Sequence, residues 1–592
     1  MENTPKAIYG EYEKGANYKS SLGNRGLYEQ NKVNERFYVG DQWYGANCGN
    51  DRPLVRHNIV KRIGEYKIAV VGASDVSVVY AVEGFPHTKE MQEKTEKLKD
   101  QIAQGQSPDI KPEEEVTLAM SALSDYYRTT AERVKFNDLK NEALRDAYIG
   151  GTGVMYTYWD ADIETGLYLD EEQTAPIKGD IASEIIPIEN VYFGDPNTTD
   201  VQKQPYIIIA QRRSVKSVRD EAKRNKRPQK DIDAIKNDSN KFSAGVRSEK
   251  ELEETKTTVL TKFWKENGRV KAIRVTETAV VRPEWDMRVR LYPLAAFRWE
   301  NRKSSAYGDS EITYLVPNQI AINRMLTASV WAVMLNGMPL TIANEDILGG
   351  KTITNDPGQI IRVNAGSEGL GDIVRYINPP NVSNLQQHCS AMISDTLQNA
   401  GATDAALGNI RPENTSAIIA AREAATTPLQ MVQNRFYSFI EDVARIWADF
   451  WFNMYGQRSL KINDSNGTWY LPFDCEKYKN LIITAKVDVG ASTLWSETQT
   501  ISVLDSLLSE GLITKEQYLN RMPKGIIPDI QGLIRDMANE MQGKTGNAPA
   551  MDGKNLASIL AQLPPDQQAK FAAMDEQTKV AVLQKAGLIG GM

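Results

Sequence analysis

Cysteine and histidine are nearly absent, with three of each in 592 residues. Cys48, Cys389 and Cys475 lie far apart and show no Cys-x-x-Cys spacing. That excludes a disulfide framework and points to a reducing compartment, the cytoplasm. His57, His87 and His388 are equally scattered, so no metal centre is expected. No run of about 18 or more apolar residues occurs, so no membrane span is expected. The opening Met1-Glu2-Asn3-Thr4-Pro5-Lys6 offers no apolar core for a secretory signal. A surplus of positive charge is missing too: the formal net charge is −7, the wrong sign for gripping nucleic acid over the whole surface.

Motifs that carry chemistry are also lacking. Gly350-Lys351-Thr352 resembles the end of a phosphate loop, but the position that should hold the leading glycine is Glu345. Gly150-Gly151-Thr152-Gly153 follows a helical pattern rather than a strand and reads as a helix stop. His388 and Cys389 are adjacent, and neighbours on one helix point in different directions, which argues against a nucleophile and base. Acidic residues abound without the spacing of a two-metal nuclease site. No catalytic residue, cofactor or metal is therefore expected, and the chain is not expected to be an enzyme.

What is present is ordinary globular material, 41% hydrophobic and 25% charged, in a chain too long for one core. Leu27–Gly45 reads as a helix ending in an aromatic corner, where Trp43 and Tyr44 are expected to pack in the core rather than stack on bases. A second helix is expected over Pro53–Val71, a highly charged exposed one over Pro86–Lys111, and a well-packed one from Pro112 to Gly150. Strands are expected at Val154–Trp159, Ile185–Ile188 and Tyr206–Ala210, with a hairpin at Asn267-Gly268 within Val259–Val281. Arg212–Arg227 is the strongest basic cluster, and neighbouring acids are expected to balance it, with DNA or scaffold-protein contact as the rival reading.

The organising stretch runs from Ser310 to Gly456. Leu315, Ile322, Met325, Leu326, Ser329, Val330 and Val333 recur at three- and four-residue steps, which predicts an amphipathic helix over Glu311–Asn336. Leu340–Asn378 then carries β-rich patches at Leu340–Ile342, Ile360–Val363 and Ile373–Ile377, separated by Gly and Pro turns. Another helix follows Pro379-Pro380 and stops at Gly401, and 401–413 reads as a small, polar loop. A long helix is predicted from Asn414 or Thr415, kinked near Ala424–Thr427 by Pro428. At about 1.5 Å per residue it would span about 60 Å. Beyond it, Leu460–Ile462, Thr468–Leu471 and Leu481–Val489 read as strands that complete the earlier sheet, and Ser496–Leu508 as a helix.

This order of helix, β module, return helix, loop and long kinked helix resembles the stem, clip, second stem helix, tunnel loop and tunnel helix of tailed-bacteriophage portal proteins. Tyr192-Phe193-Gly194-Asp195-Pro196 is similar to a segment of podovirus-type portals. The resemblance implies an α+β, mainly helical subunit of a ring, divided into 1–309 wing, 310–337 stem helix 1, 338–378 clip, 379–400 stem helix 2, 401–413 tunnel loop, 414–456 kinked tunnel helix, 457–494 wing strands and 495–592 crown-like helices. It implies a homo-oligomer of twelve copies at one vertex of a virion assembled in the cytoplasm, conducting double-stranded DNA. Expected partners are the terminase large subunit, head-to-tail adaptor or tail proteins, and the major capsid and scaffold proteins, with no membrane. Thr403, Asp404, Asn409 and Arg411 are expected on the loop nearest the DNA, where Arg411 touches phosphates and Asp404 prevents tight binding. Lys351 and Arg362 are expected on the clip's docking surface. The rival readings are a scaffold or adaptor without a channel, and a packaging ATPase or nuclease.

Overall fold

A computed structural model describes residues 3–45, 54–73, 76–82, 112–168, 176–238, 256–337, 340–343, 374–377, 383–402, 427–464, 467–474, 483–489 and 494–515, together with 94–95, 98–99, 477, 518–519 and 522. It shows a mixed α/β chain in which every strand pair among the described residues is antiparallel. Parallel pairs would require crossover connections, so this is α+β rather than α/β architecture. Two compact units emerge, Met1–Ser496 and Glu497–Met592.

The first helix, α1 (Pro5–Ser21), has a proline in its first turn and is capped by Thr4, whose hydroxyl accepts from the Ala7 N–H at 3.3 Å. It buries Ile8, Tyr12, Ala16 and Lys19. Helix α2 (Leu27–Val39) stops where Gly40 turns left-handed at φ 92°. Helix α3 begins only at Ile59 and runs to Gly72, because the Asn58 side chain accepts from the Lys61 N–H at 3.0 Å and caps it there. The expected start at Pro53 is thus too early. Strand β1 (Val76–Val82) follows. The single helix expected from Pro112 is two, α4 (Pro112–Arg133) and α5 (Phe136–Gly150), divided where Lys135 takes φ 54°. Lys99, expected on an exposed helix, is buried with its ammonium 2.6 Å from Asp125.

Sheet structure fills the next stretch: β2 (Thr152–Tyr168), β3 (Pro176–Pro187), β4 (Val191–Phe193), β5 (Tyr206–Ser214), helices α6 (Val215–Arg224) and α7 (Gln229–Ala234), then β6 (Lys256–Glu266), β7 (Arg269–Val275), β8 (Val280–Asp286), β9 (Leu294–Arg298), and the short β10 (Glu300–Asn301) and β11 (Gly308–Asp309). These form a five-stranded sheet, β4-β5-β6-β7-β8, and a three-stranded one, β3-β2-β9. The β6–β7 hairpin turns at Asn267 and Gly268, both at positive φ, as its sequence predicted.

The remainder comprises α8 (Ile312–Gly337), β12 (Leu340–Ala343), β13 (Val374–Ile377), α9 (Ser383–Asn399), α10 (Gln430–Met454), β14 (Gln457–Asp464), β15 (Gly467–Asp474), β16 (Ile483–Val489) and α11 (Leu494–Ser509). The last three strands do not complete either larger sheet. Strands β14 and β15 pair with each other, and β16 pairs with β1 in register Val76 to Val489. The unpredicted partner, β1, lies some four hundred residues upstream, a distance over which periodicity carries no information.

Helix α10 is the centre of the core. Phe436, Phe439, Ile440, Val443, Trp447 and Trp451 are buried in one cluster with residues of β1, α4, α5 and β9. Trp451 meets Tyr80 and Tyr126 edge to face at 5.9 and 5.3 Å, and the Tyr80 hydroxyl donates to the Ala444 carbonyl at 2.9 Å. A buried network closes its C-terminal end: the Tyr455 hydroxyl donates to Asp180 at 2.6 Å, and Arg133 lies 3.0 Å from the same carboxylate. At about 1.5 Å per residue, its 25 residues span about 37 Å. Pro428 lies in the 3-10 turn Thr427–Leu429 that leads into it. The expected upstream half, 414–426, lies outside the described residues.

Candidate functional site

The helix pair α8/α9 and the strands joining it are the part of the molecule the organising stretch singled out. Strands β12 and β13 pair antiparallel, Leu340 opposite Ile377, so the chain leaves along α8 and returns along α9. The two helices run antiparallel: Asn318, near the start of α8, donates to the Thr396 hydroxyl, near the end of α9, at 3.3 Å. Helix α9 ends as expected, with Gly401 left-handed at φ 72° and the Ala402 N–H returning to the Leu397 carbonyl at 2.9 Å.

Burial along α8 is uneven. Near its start Ile312, Leu315, Val316 and Ile322 are buried, and at its far end Val330, Val333 and Met334 are 38, 54 and 49% exposed. The stripe predicted from the sequence is therefore correct for the first half, whereas its members Val330 and Val333 face outward. The inward face further along is polar. Gln319 accepts from the Ile59 N–H at 3.0 Å and donates to the His57 carbonyl at 2.7 Å. Asn323 accepts from the His57 N–H at 3.1 Å and donates to Gln42 at 2.6 Å, and the Thr327 hydroxyl accepts from the Val55 N–H at 3.1 Å. These three residues recur every four positions, one face of a helix, and they satisfy backbone groups of Val55, His57 and Ile59, the non-helical approach to α3 and its first residue. That pairing keeps residues before Asn58 out of helix α3.

The base of α8 is fixed by a buried ion pair. The Lys67 ammonium sits 2.5 Å from Glu311, whose other oxygen accepts from the Trp299 indole at 3.2 Å. Ser310 donates to the Tyr148 carbonyl at 2.6 Å and its hydroxyl accepts from the Ile312 N–H. Burial, with Glu311 and Asp309 nearby, pushes the Glu300 carboxyl up.

The first two residues of the Tyr192-Phe193-Gly194-Asp195-Pro196 segment are built into the core. Tyr192 is buried, and the Lys19 ammonium lies 3.7 Å from its ring centre while donating to the Ile188 and Glu189 carbonyls at 2.7 and 3.0 Å. Burial holds the Lys19 pKa well below the usual lysine value. Asp195 organises a turn, accepting from the Asn197 N–H and the Thr198 hydroxyl, and those bonds lower its pKa. Nearby, burial and then Glu189 and Glu142 raise Asp146 to about 7.

Thr403, Asp404, Asn409 and Arg411 lie outside the described residues, as do Lys351 and Arg362. Of the rejected motifs, Gly151 is left-handed at φ 82° and a side chain on Gly153 would collide with the Ala143 carbonyl, so both glycines serve the turn from α5 into β2. His388 is exposed and Cys389 buried, pointing apart as expected. Tyr44 is a correction: it is 54% exposed, with the Arg36 guanidinium 3.4 Å from its ring centre. Among the described residues, no group of His, Cys, Asp and Glu is arranged to hold a metal, and no helix is long and apolar enough to cross a membrane.

The basic cluster divides into two populations that the sequence shows as one. Arg212 pairs with Asp238, Arg227 with Asp231, and Arg213 with Glu221, which Arg274 also reaches at 2.6 Å. Burial alone would raise the Glu221 pKa, yet Arg274 and Arg213 hold it lowered. For these arginines the expected balance by neighbouring acids is what the structure shows. The lysines behave differently, since Lys216, Lys223, Lys226 and Lys236 are exposed. No protein-family model and no curated protein matches this chain.

Proposed function

We propose that the chain is a portal-type subunit, a homo-oligomeric ring whose channel guides double-stranded DNA into a phage head, retains it and releases it. The observation that carries this reading is helix α8: its far end leaves Val330, Val333 and Met334 uncovered, a contiguous apolar strip on a helix whose single charge is Arg324. Exposed strips of this kind mark protein contacts. Closure of a ring of identical copies supplies such a contact to every subunit. The connectivity supports the same reading, since α8, the β12/β13 pair, α9 and α10 follow one another in the order of stem, clip, second stem helix and tunnel helix.

On this reading the work is mechanical, and ATP is hydrolysed by the terminase that docks on the clip through Lys351 and Arg362. Thr403, Asp404, Asn409 and Arg411 line the loop nearest the DNA, with Arg411 touching phosphates and Asp404 opposing tight binding. The adaptor and tail proteins follow the terminase on the same surface, and the capsid and scaffold proteins surround the wing. Negative-stain images of the purified full-length chain under assembly-favouring conditions are expected to show closed rings with an axial hole. Protein that stays monomeric, or closes without a hole, overturns the channel. Deletion of Thr403–Asn409 is expected to leave rings intact and to impair packaging or retention.

A further inference from the structure

Between α6 and the segment after α7 lies an open cleft of about 620 Å³, lined by Ser214, Lys216, Arg219, Lys223, Lys236 and their neighbours. Residues 212–238 hold ten basic and five acidic side chains in a chain whose net charge is −7, so this is a local inversion of sign. Three of the five acids are consumed by Arg212, Arg213 and Arg227. Arg219 is held differently: its Nε and Nη2 both donate to the neutral carbonyl of Ile235, at 3.1 and 2.7 Å, which orients the guanidinium without cancelling its charge. Among the described residues the one acid on the cleft wall is Asp220, which lies 3.6 Å from Lys223 with both side chains more than half exposed, a pair too solvated to neutralise the cleft.

We infer that this cleft is a sequence-independent binding site for the phosphate backbone of nucleic acid. Lysine meets phosphate as a point charge, and Lys216 and Lys223, seven residues apart, stand on one face of α6 about 10 Å from each other. Among the described residues no aromatic side chain lines the cleft, so they offer no stacking platform of the kind single-stranded bases need, and backbone contact is the mode of recognition they support. The site is separate from the channel loop and does not rest on ring formation, so failure of either reading leaves the other standing.

The test is fluorescence anisotropy of the full-length protein with a labelled duplex of about 20 bp, between about 50 and about 200 mM salt. The Lys216→Gln/Lys223→Gln/Lys236→Gln variant is expected to bind at least about tenfold more weakly at the lower salt, with a log-log salt slope shallower by about 2 to 3, as loss of about three phosphate contacts requires. Two unrelated duplex sequences are expected to give the same affinity. A variant removing three exposed lysines elsewhere, Lys32, Lys61 and Lys178, is expected to leave the slope unchanged. The site is overturned if the native protein fails to bind, if the cleft variant binds as before, or if the control variant loses as much. Displacement of the duplex by a polyglutamate peptide at equal charge concentration would instead assign the cleft to an acidic protein segment. Matching thermal melts of all three proteins exclude misfolding as the cause of a loss.

Discussion

Helices α8 and α10 are almost the same length, 26 and 25 residues, and bury themselves in opposite ways. Helix α10 follows the ordinary pattern: Arg435, Glu441, Asp442, Arg445 and Asp449 interrupt an apolar stripe, and that stripe is taken up by its own chain. Helix α8 is partly inside out. Its inward positions Gln319, Asn323 and Thr327 bind the backbone of Val55–Val60, while Tyr314, Val330, Val333 and Met334 face outward. The difference separates two tasks, one helix completing a subunit and the other leaving apolar surface that the described subunit does not cover.

That contrast is most directly broken at the middle of α10. Trp451→Ala removes a fully buried indole and is expected to lower stability by about 3 to 5 kcal/mol in urea unfolding. A loss below about 1 kcal/mol would show that α10 is not the centre of the subunit. The base of α8 comes next. Lys67→Met strands the buried Glu311 carboxylate and is expected to lower stability by about 3 kcal/mol, and adding Glu311→Leu is expected to restore much of it. If the double variant is as unstable as the single, the damage lies in packing around Trp299 rather than in an unpaired charge.

How much of this was legible from residues alone differs by element. Helix α10 was readable because its three- and four-residue steps are set by local geometry. The turns at Asn267-Gly268 and Gly401 were readable because positive φ favours particular residues. The β1–β16 pairing was not, since strand partners hundreds of residues apart leave no local trace. The outward Val330 and Val333 misled for a related reason: the same spacing describes a face turned to the core or to a partner, and only the position of Asn323 against His57 decides which. The pairing of Arg212 and Arg213 likewise depends on Asp238 and Glu221 arriving by tertiary contact, whereas Arg227 and Asp231 are only four residues apart. The predicted loop and clip residues gained no such test, because they fall outside the described positions.

The polar face of α8 sharpens the comparison by a smaller margin. Asn323→Leu keeps the branched outline of asparagine with the same number of side-chain heavy atoms and adds apolar surface, so a purely hydrophobic account of α8 predicts a gain. The structure predicts the opposite, a loss of about 1 to 3 kcal/mol, because the His57 N–H and the Gln42 side chain lose their partner in a buried place. A urea midpoint at or above that of the native protein would contradict the inward polar ladder.

The smallest expected effect on folding is the one that bears most on assembly. Val333→Glu places a charge on a side chain already 54% exposed, and no described contact of the subunit depends on it, so the unfolding free energy is expected to move by less than about 0.5 kcal/mol. If Val333 lies in a seam between copies, the same substitution buries an unpaired carboxylate at every interface of a closed ring, and native mass measurements should show assemblies replaced by single chains. The two readouts separate the alternatives. Loss of assembly with an unchanged unfolding midpoint assigns the distal face of α8 to a neighbour, whereas a fall in the midpoint assigns it to the subunit's own interior. Unchanged values of both would leave that face to solvent and remove the observation on which the ring is proposed.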